Sequence, residues 1–490
     1  MKRLFYFLFI FSFSISLLYT EIVPLTILST NDLHGHLIPN KANQGGAARI
    51  AAYFKKVRSE EKHVLILNAG DMISGTAVSS VFNGDPIFHV TNHWGIDAAC
   101  LGNHEFDYGW QRIERFRDIA NFPLLCANAF VKNTQGQYKL VGDAEYIIIQ
   151  KGKLKIGVIG IVSEDTPFVT TKMATDGVHF SGEIETLNHL IPKVSEQCDM
   201  LIALTHVGKY NDLEISKRTK GINLIVGGHS HTRISRITKN KGKFIGILQF
   251  NPRDNTTGNQ KYLKQVGLEL AEYNDTTIFS AKYISTVPVT QAGEYGLFIG
   301  RTDLTFDTDK DQIQNFFYQL IPVNQDLTAP DPQTLKEVRK WEEQVEDMLD
   351  KPLGVAQSDF NKTAMLCLAE EAFMQSTSAD YAHQNSGGTR ALLKKGEFDY
   401  REIWNIFPFE NTLVVAKCKG SEVPASFYGH NPIEPDKTYK IVTNSYVKDQ
   451  MEKQSQHTSI KWQDTGITLR DSVLQYIEKR KTIKPFKLTR

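Results

Sequence analysis

The chain has almost no net charge, few cysteines, and no long apolar run past its first twenty residues. With 56 Lys and Arg against 55 Asp and Glu the balance is +1, so no global field draws it to nucleic acid or to an anionic membrane. The five cysteines, Cys100, Cys126, Cys198, Cys367 and Cys418, form no Cys-x-x-Cys pair, which excludes a zinc ribbon and a disulfide scaffold. A Cys100 to Cys126 bridge is conceivable, but apolar flanks such as those of Cys100 suit buried thiols, and no bridge is expected. Internal repeats and low-complexity tracts are absent as well.

What is present is ordinary globular composition on a large scale. At 490 residues, 41% hydrophobic and 23% charged, the chain exceeds what one core holds and predicts two or three domains. Lys2 and Arg3 precede an apolar run from Leu4 to Leu18, the layout of a secretory leader. That run is short against the roughly 20 residues of a spanning helix. No small-x-small cleavage site follows it, which leaves an uncleaved anchor as the alternative. The expected location is secreted or periplasmic, with no stable membrane insertion beyond that segment.

From Ile22 to about Ile225 the runs TILST, HVLIL, DAACL, KIGVIGI, MLIALT and INLIV alternate with loop or amphipathic sequence, the rhythm of a layered α/β domain. From Phe244 to Phe306 strands and turns alternate, as in KQVGLELAEY, which predicts a second sheet completing that domain. Pro330 and Pro332 then punctuate the chain. Gln333 to Leu349 has apolar residues at helical spacing and predicts a linking helix. A second α/β domain follows from about Lys351.

The polar residues cluster directly after the apolar runs. Asp32 and His34 follow TILST, Asp71 follows HVLIL, Asn103 and His104 follow DAACL, His206 ends MLIALTH, and His229 and His231 follow INLIV. Singly, each has a plain reading as a turn or a solvated loop residue. Together they predict one site along a single sheet edge, because ligand sites in layered α/β sheets lie beyond the carboxyl ends of the strands. Mixed imidazole, carboxylate and amide donors suit Zn, Mn, Fe or Co rather than Ca or Mg alone.

STNDLHGHL, NAGDM, LGNHEFDYG, THVG and GGHSH resemble the metallophosphoesterase motifs of the secreted 5'-nucleotidase family. NSGGTRALLKKG and PFENTLVV resemble its C-terminal domain, and QAGEYGLFIGRTDL and YQLIPVN resemble bacterial 5'-nucleotidase/UDP-sugar hydrolases. The resemblance implies a four-layer α/β/β/α metallophosphoesterase domain over 21–328 after a leader of 1–20. It further implies a linking helix in 329–350 and a smaller α/β domain over 351–490. It implies two divalent ions, one held by Asp32, His34 and His231, the other by Asn103, His206 and His229. Asp71 would bridge them, as two cations about 3.5 to 4 Å apart require a shared anion. His104, paired with Asp107, would stabilise charge on the transferred phosphoryl group.

Arg390 would contact the phosphate, Phe409 would stack on the base, Asn411 would hydrogen-bond its edge, and Tyr446 would be a second ring. The implied activity is phosphate release from nucleoside 5'-monophosphates by a monomer, extending to UDP-sugars or cyclic nucleotides. A two-metal hydrolase of another substrate and a non-catalytic exported nucleotide-binding protein are the alternatives. The chain departs from the family in a shortened stretch between Glu422 and Tyr439. MEKQSQ also stands where a Gly-Gly-Asp-Gly-aromatic turn is usual, and DFNKTAMLCLAEE lacks arginines.

Overall fold

Apolar strands joined by amphipathic crossovers bury themselves by stacking in layers, and the computed structural model of the chain shows where each layer falls. It describes residues 22–133, 135–250, 269–270, 279–454 and 459–488. The leader lies outside the described residues, as does KQVGLELAEY apart from the strand Glu269–Leu270.

Two sheets face each other in the N-terminal part. In the first, Ile22–Thr30, Val64–Asn68, Ala98–Cys100 and Leu124–Leu125 run parallel as successive neighbours. In the second, Leu224–Gly227, Met200–His206 and Leu154–Val162 are parallel, and Tyr146–Lys151 closes one edge antiparallel. Leu25, Ile27 and Leu67 of the first sheet meet Ile156, Val158, Ile202 and Leu204 of the second in one buried cluster. The outer face of the first sheet is covered by the helix Ala47–Glu60, whose Ile50, Phe54 and Val57 pack with Leu28 and Ile66. Helices Glu183–Ser195 and Lys209–Arg218 cover the second sheet. This is the four-layer α/β/β/α arrangement.

The stretch from Phe244 to Phe306 corrects one expectation. Its long strands do not form the second sheet; they extend the first. Phe298–Asp307 lies antiparallel to Ile22–Thr30, with Leu304 opposite Leu25. Gln312–Pro322, Arg233–Asn240, Lys243–Phe250 and Phe279–Ser285 follow outward, while the short strand Val289–Thr290 joins the second sheet beside Leu224–Gly227. Alternation along a strand reports which residues face the core, not which sheet edge a hairpin joins.

The helix Pro332–Leu349 begins on Asp331, whose side chain accepts from Thr334 N at 2.9 Å. Pro332 presets the first turn. Val338, Val345 and Leu349 bury against the N-terminal core. Arg401 binds the helix from the other side, through Glu342 and Asp350 at 2.7 Å each. The C-terminal part has a three-stranded and a five-stranded sheet around a core that includes Leu368, Phe373, Leu413, Val442 and Val473. Among the described residues, Tyr428–Gly429 is the one strand wholly between Glu422 and Tyr439. All five cysteines are free, and no described helix is long and apolar enough to cross a membrane.

Candidate metal centre

The candidate ligands come from both sheets, which corrects the expectation of a single sheet edge. Asp32, His34, Asp71 and Asn103 lie beyond the carboxyl ends of the first sheet's strands, and His206, His229 and His231 at or beyond those of the second. The parallel halves of the two facing sheets end at one rim. Residues up to about 200 positions apart therefore meet.

They meet closely. His34 Nε2 lies 2.9 Å from His231 Nε2, and His231 Nε2 lies 3.3 Å from Asp32 Oδ1. His206 Nε2 is 3.0 Å from Asp71 Oδ2, and His229 Nδ1 is 2.8 Å from Asn103 Oδ1. Asp71 Oδ2 also lies 3.8 Å from His34 Nε2, so its carboxylate sits between the two groupings. The donor atoms of Asp32, His34 and His231 lie within one ligand sphere, and so do those of Asp71, His206 and His229.

The backbone is strained where these side chains leave it. Asp32, His34, Asp71, His229 and His231 all have φ between 47° and 78°, a region that costs non-glycine residues of order 1–3 kcal/mol each and persists only where packing dictates it. Glycine makes the packing possible. A Cβ on Gly102 would lie 2.2 Å from Asp71 Oδ1, and one on Gly228 would lie 2.7 Å from His206 Nδ1.

The donors fit divalent cations. His206 gives Nδ1–H to Ala69 O at 2.6 Å, which fixes the ring and turns Nε2 toward Asp71. That Nε2 is buried and lacks a hydrogen bond of acceptable geometry. Burial opposes charge on His206, yet Asp71 and Asp32 raise its pKa far above the ordinary value. Burial likewise opposes the Asp71 carboxylate, and His206, His104 and His34 still hold its pKa well down. Burial alone leads for His229, lowered to about 4. Two buried carboxylates thus draw positive charge onto His206, while burial first of all favours neutral His34 and His229, the form in which an imidazole binds a metal.

His104, whose ring with His34 and Asp71 makes a third such grouping, has its Nδ1 2.7 Å from Asp107 Oδ2, which also accepts from Ser74 Oγ at 2.6 Å. Burial works against an imidazolium here, but Asp107 and then Asp71 raise the His104 pKa. The C-terminal part closes over this group. Arg390 Nη2 reaches within 3.3 Å of His34 Nε2, and Phe409 stacks on His104 with ring centroids 5.6 Å apart. Asn411 and Tyr446 line the same cavity of about 820 Å³ as Asp71, His104 and Arg390. Contacts hold the two parts together on both sides: Ser80 Oγ donates to Pro408 O at 3.2 Å, and Lys172 N to Asp449 Oδ2 at 3.0 Å.

The sequence profile described as "Calcineurin-like phosphoesterase" matches residues 25–233, and that described as "5'-nucleotidase, C-terminal domain" matches 344–428, together more than half of the chain. The chain belongs to the 5'-nucleotidase family. It is 29% identical over 453 residues to the "Trifunctional nucleotide phosphoesterase protein YfkN" of Bacillus subtilis (strain 168), covering 81% of this chain but only 27% of that protein. It is 28% identical over 444 residues to UshA of Yersinia enterocolitica, covering 81% of this chain and 74% of UshA. The 5'-nucleotidase precursor of Thermus thermophilus shares the fold at a TM-score of 0.78 and 22% identity, over 95% of this chain and 98% of that one. Family and site together make the protein a metal-dependent phosphoric ester hydrolase.

Several residues of this 5'-nucleotidase site escaped the sequence reading. Asn31 donates to Asp32 Oδ2 at 2.6 Å and to Gly293 O at 2.7 Å, tying a candidate ligand to the loop that carries Tyr295. The ring of Tyr295 lies 5.8 Å from that of His34 and 5.7 Å from that of His231. His36 is half-buried with its ring 4.3 Å from that of Tyr295. Burial, then Arg390, lowers its pKa to about 4.

Glu105 is the most consequential omission. Its buried carboxylate accepts from Asp71 N at 3.0 Å, Met72 N at 2.8 Å and Gly102 N at 2.6 Å, joining the loop of Asp71 to that of Asn103. The available signal was a carboxylate inside the LGNHEFDYG motif, next to His104. Glu105→Gln presents an amide N–H₂ to backbone donors and leaves at least one without an acceptor. The expected result is a loss of about 1–3 kcal/mol in denaturant unfolding of the metal-free protein. Metal affinity, read by calorimetry, should fall about 10- to 100-fold.

Proposed function

We propose that this chain is an exported 5'-nucleotidase that releases phosphate from nucleoside 5'-monophosphates, with UDP-sugars and cyclic nucleotides as further substrates. The observation that carries the reading is one cavity of about 820 Å³ lined both by Asp71, Asn103 and His104 and by Arg390, Phe409 and Asn411. A phosphate ester spanning those walls places its phosphorus at the metal ligands and its nucleoside against the C-terminal domain. The reading takes the chain as a leader, a metal-binding domain over 21–328, a connecting segment over 329–350 and a substrate-gripping domain over 351–490.

In this proposal Asp32, His34 and His231 hold one ion, Asn103, His206 and His229 the other, and Asp71 bridges them, with Zn, Mn, Co or Fe as the candidates. Such ions supply Lewis acidity and lower the pKa of water to near neutrality. The chain's own residues do the rest. His104, oriented by Asp107 and Ser74, offers its imidazole N–H to the phosphoryl oxygens as charge accumulates there. The Arg390 guanidinium holds the phosphate by charge-assisted hydrogen bonds. Phe409, Asn411 and Tyr446 grip the leaving nucleoside. Export rests on Lys2, Arg3 and the apolar run Leu4 to Leu18, and a monomer acting on small molecules completes the reading.

Purified protein mixed with AMP and Mn²⁺, Co²⁺ or Zn²⁺ should release inorganic phosphate, and EDTA should stop it. The proposal fails when AMP, UDP-glucose, a cyclic nucleotide and p-nitrophenyl phosphate all remain intact with each metal present.

A further inference from the structure

We infer that Phe409 positions His104, so that the C-terminal domain completes the phosphoryl-transfer side of the site as well as gripping the leaving group. The inference rests on the proposed role of His104. Its observation is the parallel packing of the two rings, with centroids 5.6 Å apart and planes 11° apart, within the range of offset-stacked pairs.

The imidazole needs this second support. Its one close hydrogen bond is at Nδ1, to Asp107 Oδ2 at 2.7 Å. At the other nitrogen, Nε2, the carboxylate oxygen Asp71 Oδ2 lies 4.0 Å away, beyond hydrogen-bond reach. A ring held at one nitrogen still rocks about its Cβ–Cγ bond, and a flat neighbour on its face limits that motion. The edge of His34 meets the same imidazole at 5.0 Å and 77°. His104 therefore has an aromatic face from one domain and an imidazole edge from the other.

Phe409 is itself fixed from several sides. Pro408 O accepts from the buried Ser80 Oγ of the N-terminal part at 3.2 Å. Phe407 O accepts from Arg470 Nη1 at 3.1 Å, Glu410 pairs with Arg470, and Asn411 O accepts from Leu469 N at 2.8 Å. The ring is thus held against His104 by a loop anchored in both domains. It remains half-buried and lines the cavity, so it keeps exposed surface for the leaving group. A ring that served only to stack on a base would matter only for substrates that carry one.

Ribose 5-phosphate, the nucleotide without its base, separates the two roles. Phe409→Leu should lower kcat on ribose 5-phosphate about two- to tenfold, the worth of one aromatic pair, with KM and bound metal within twofold of the parent. Phe409→Tyr should recover most of that loss. A kcat on ribose 5-phosphate within twofold of the parent for Phe409→Leu, in a protein that hydrolyses AMP, overturns the inference and leaves the proposed function standing. Should the parent not turn over ribose 5-phosphate, the His104 ring-proton resonances of zinc-loaded protein decide. They shift in Phe409→Leu if the rings stack, and unchanged resonances overturn the inference. A parent inactive on every phosphate ester instead defeats the proposed function itself.

Discussion

Asp71→Asn should lower phosphate release from AMP by at least about 10³-fold while leaving the fold intact. The substitution is well matched to its site. Asp71 has φ 52°, and asparagine is among the few non-glycine residues that tolerate the left-handed region. The backbone contacts of Asp71 N with Glu105 and of Asp71 O with His34 N do not depend on the side chain. What changes is charge. The carboxylate between the two ligand groupings becomes a neutral amide with one acceptor oxygen, and a single neutral oxygen holds two cations poorly. Bridging metals contribute several kcal/mol of transition-state stabilisation, and about 4 kcal/mol corresponds to roughly 10³ in rate. Metal content measured beside kcat provides the check. A variant that keeps two equivalents of metal and more than a tenth of the parent rate contradicts the bridging role.

Much of this site was legible because its chemistry sits at strand ends. Apolar runs marked the strands, and seven of the polar residues directly after them were the ligand candidates; the other six now lie around Asp71. The division of those strands between two sheets was not legible. Local alternation carries no information on which strand pairs with which, and so the hairpin strands of Phe244 to Phe306 were assigned to the second sheet when they extend the first. Glu105 escaped for a related reason. It acts through four backbone N–H groups, three of them supplied by a loop more than 30 residues away, a role that only the fold reveals. The stacking of Phe409 on His104 joins residues about 300 positions apart. Spacing within a motif predicts the His104 to Asp107 pair, three residues apart on a tight turn; it cannot predict a contact between domains.

His104→Gln should lower kcat on AMP about 10²- to 10⁴-fold, the range for removing a positioned proton-transfer or charge-stabilising side chain, with metal content unchanged. The two halves of that expectation come from different distances. His104 Nε2 stands 4.0 Å from Asp71 Oδ2, within the same cavity but farther than the 3.0 Å of His206 Nε2 from that oxygen. Removing the imidazole leaves the groupings of Asp32, His34 and His231 and of Asp71, His206 and His229 whole and breaks only that of His34, Asp71 and His104, so retained metal is what separates a charge-stabilising imidazole from a ligand. Glutamine has no aromatic face for Phe409 and cannot carry the positive charge that Asp107 favours. Ser74 Oγ donates to the same Asp107 Oδ2 at 2.6 Å independently of the imidazole, so the Asp107 carboxylate keeps one donor and folding stability should change little. Denaturation, metal analysis and kinetics on one preparation distinguish the possibilities. If His104 were only a structural histidine satisfied by Asp107, His104→Gln would retain kcat within about tenfold; loss of metal along with activity would make it a ligand. Only retained metal with a large fall in kcat fits an imidazole that faces the transferred phosphoryl group.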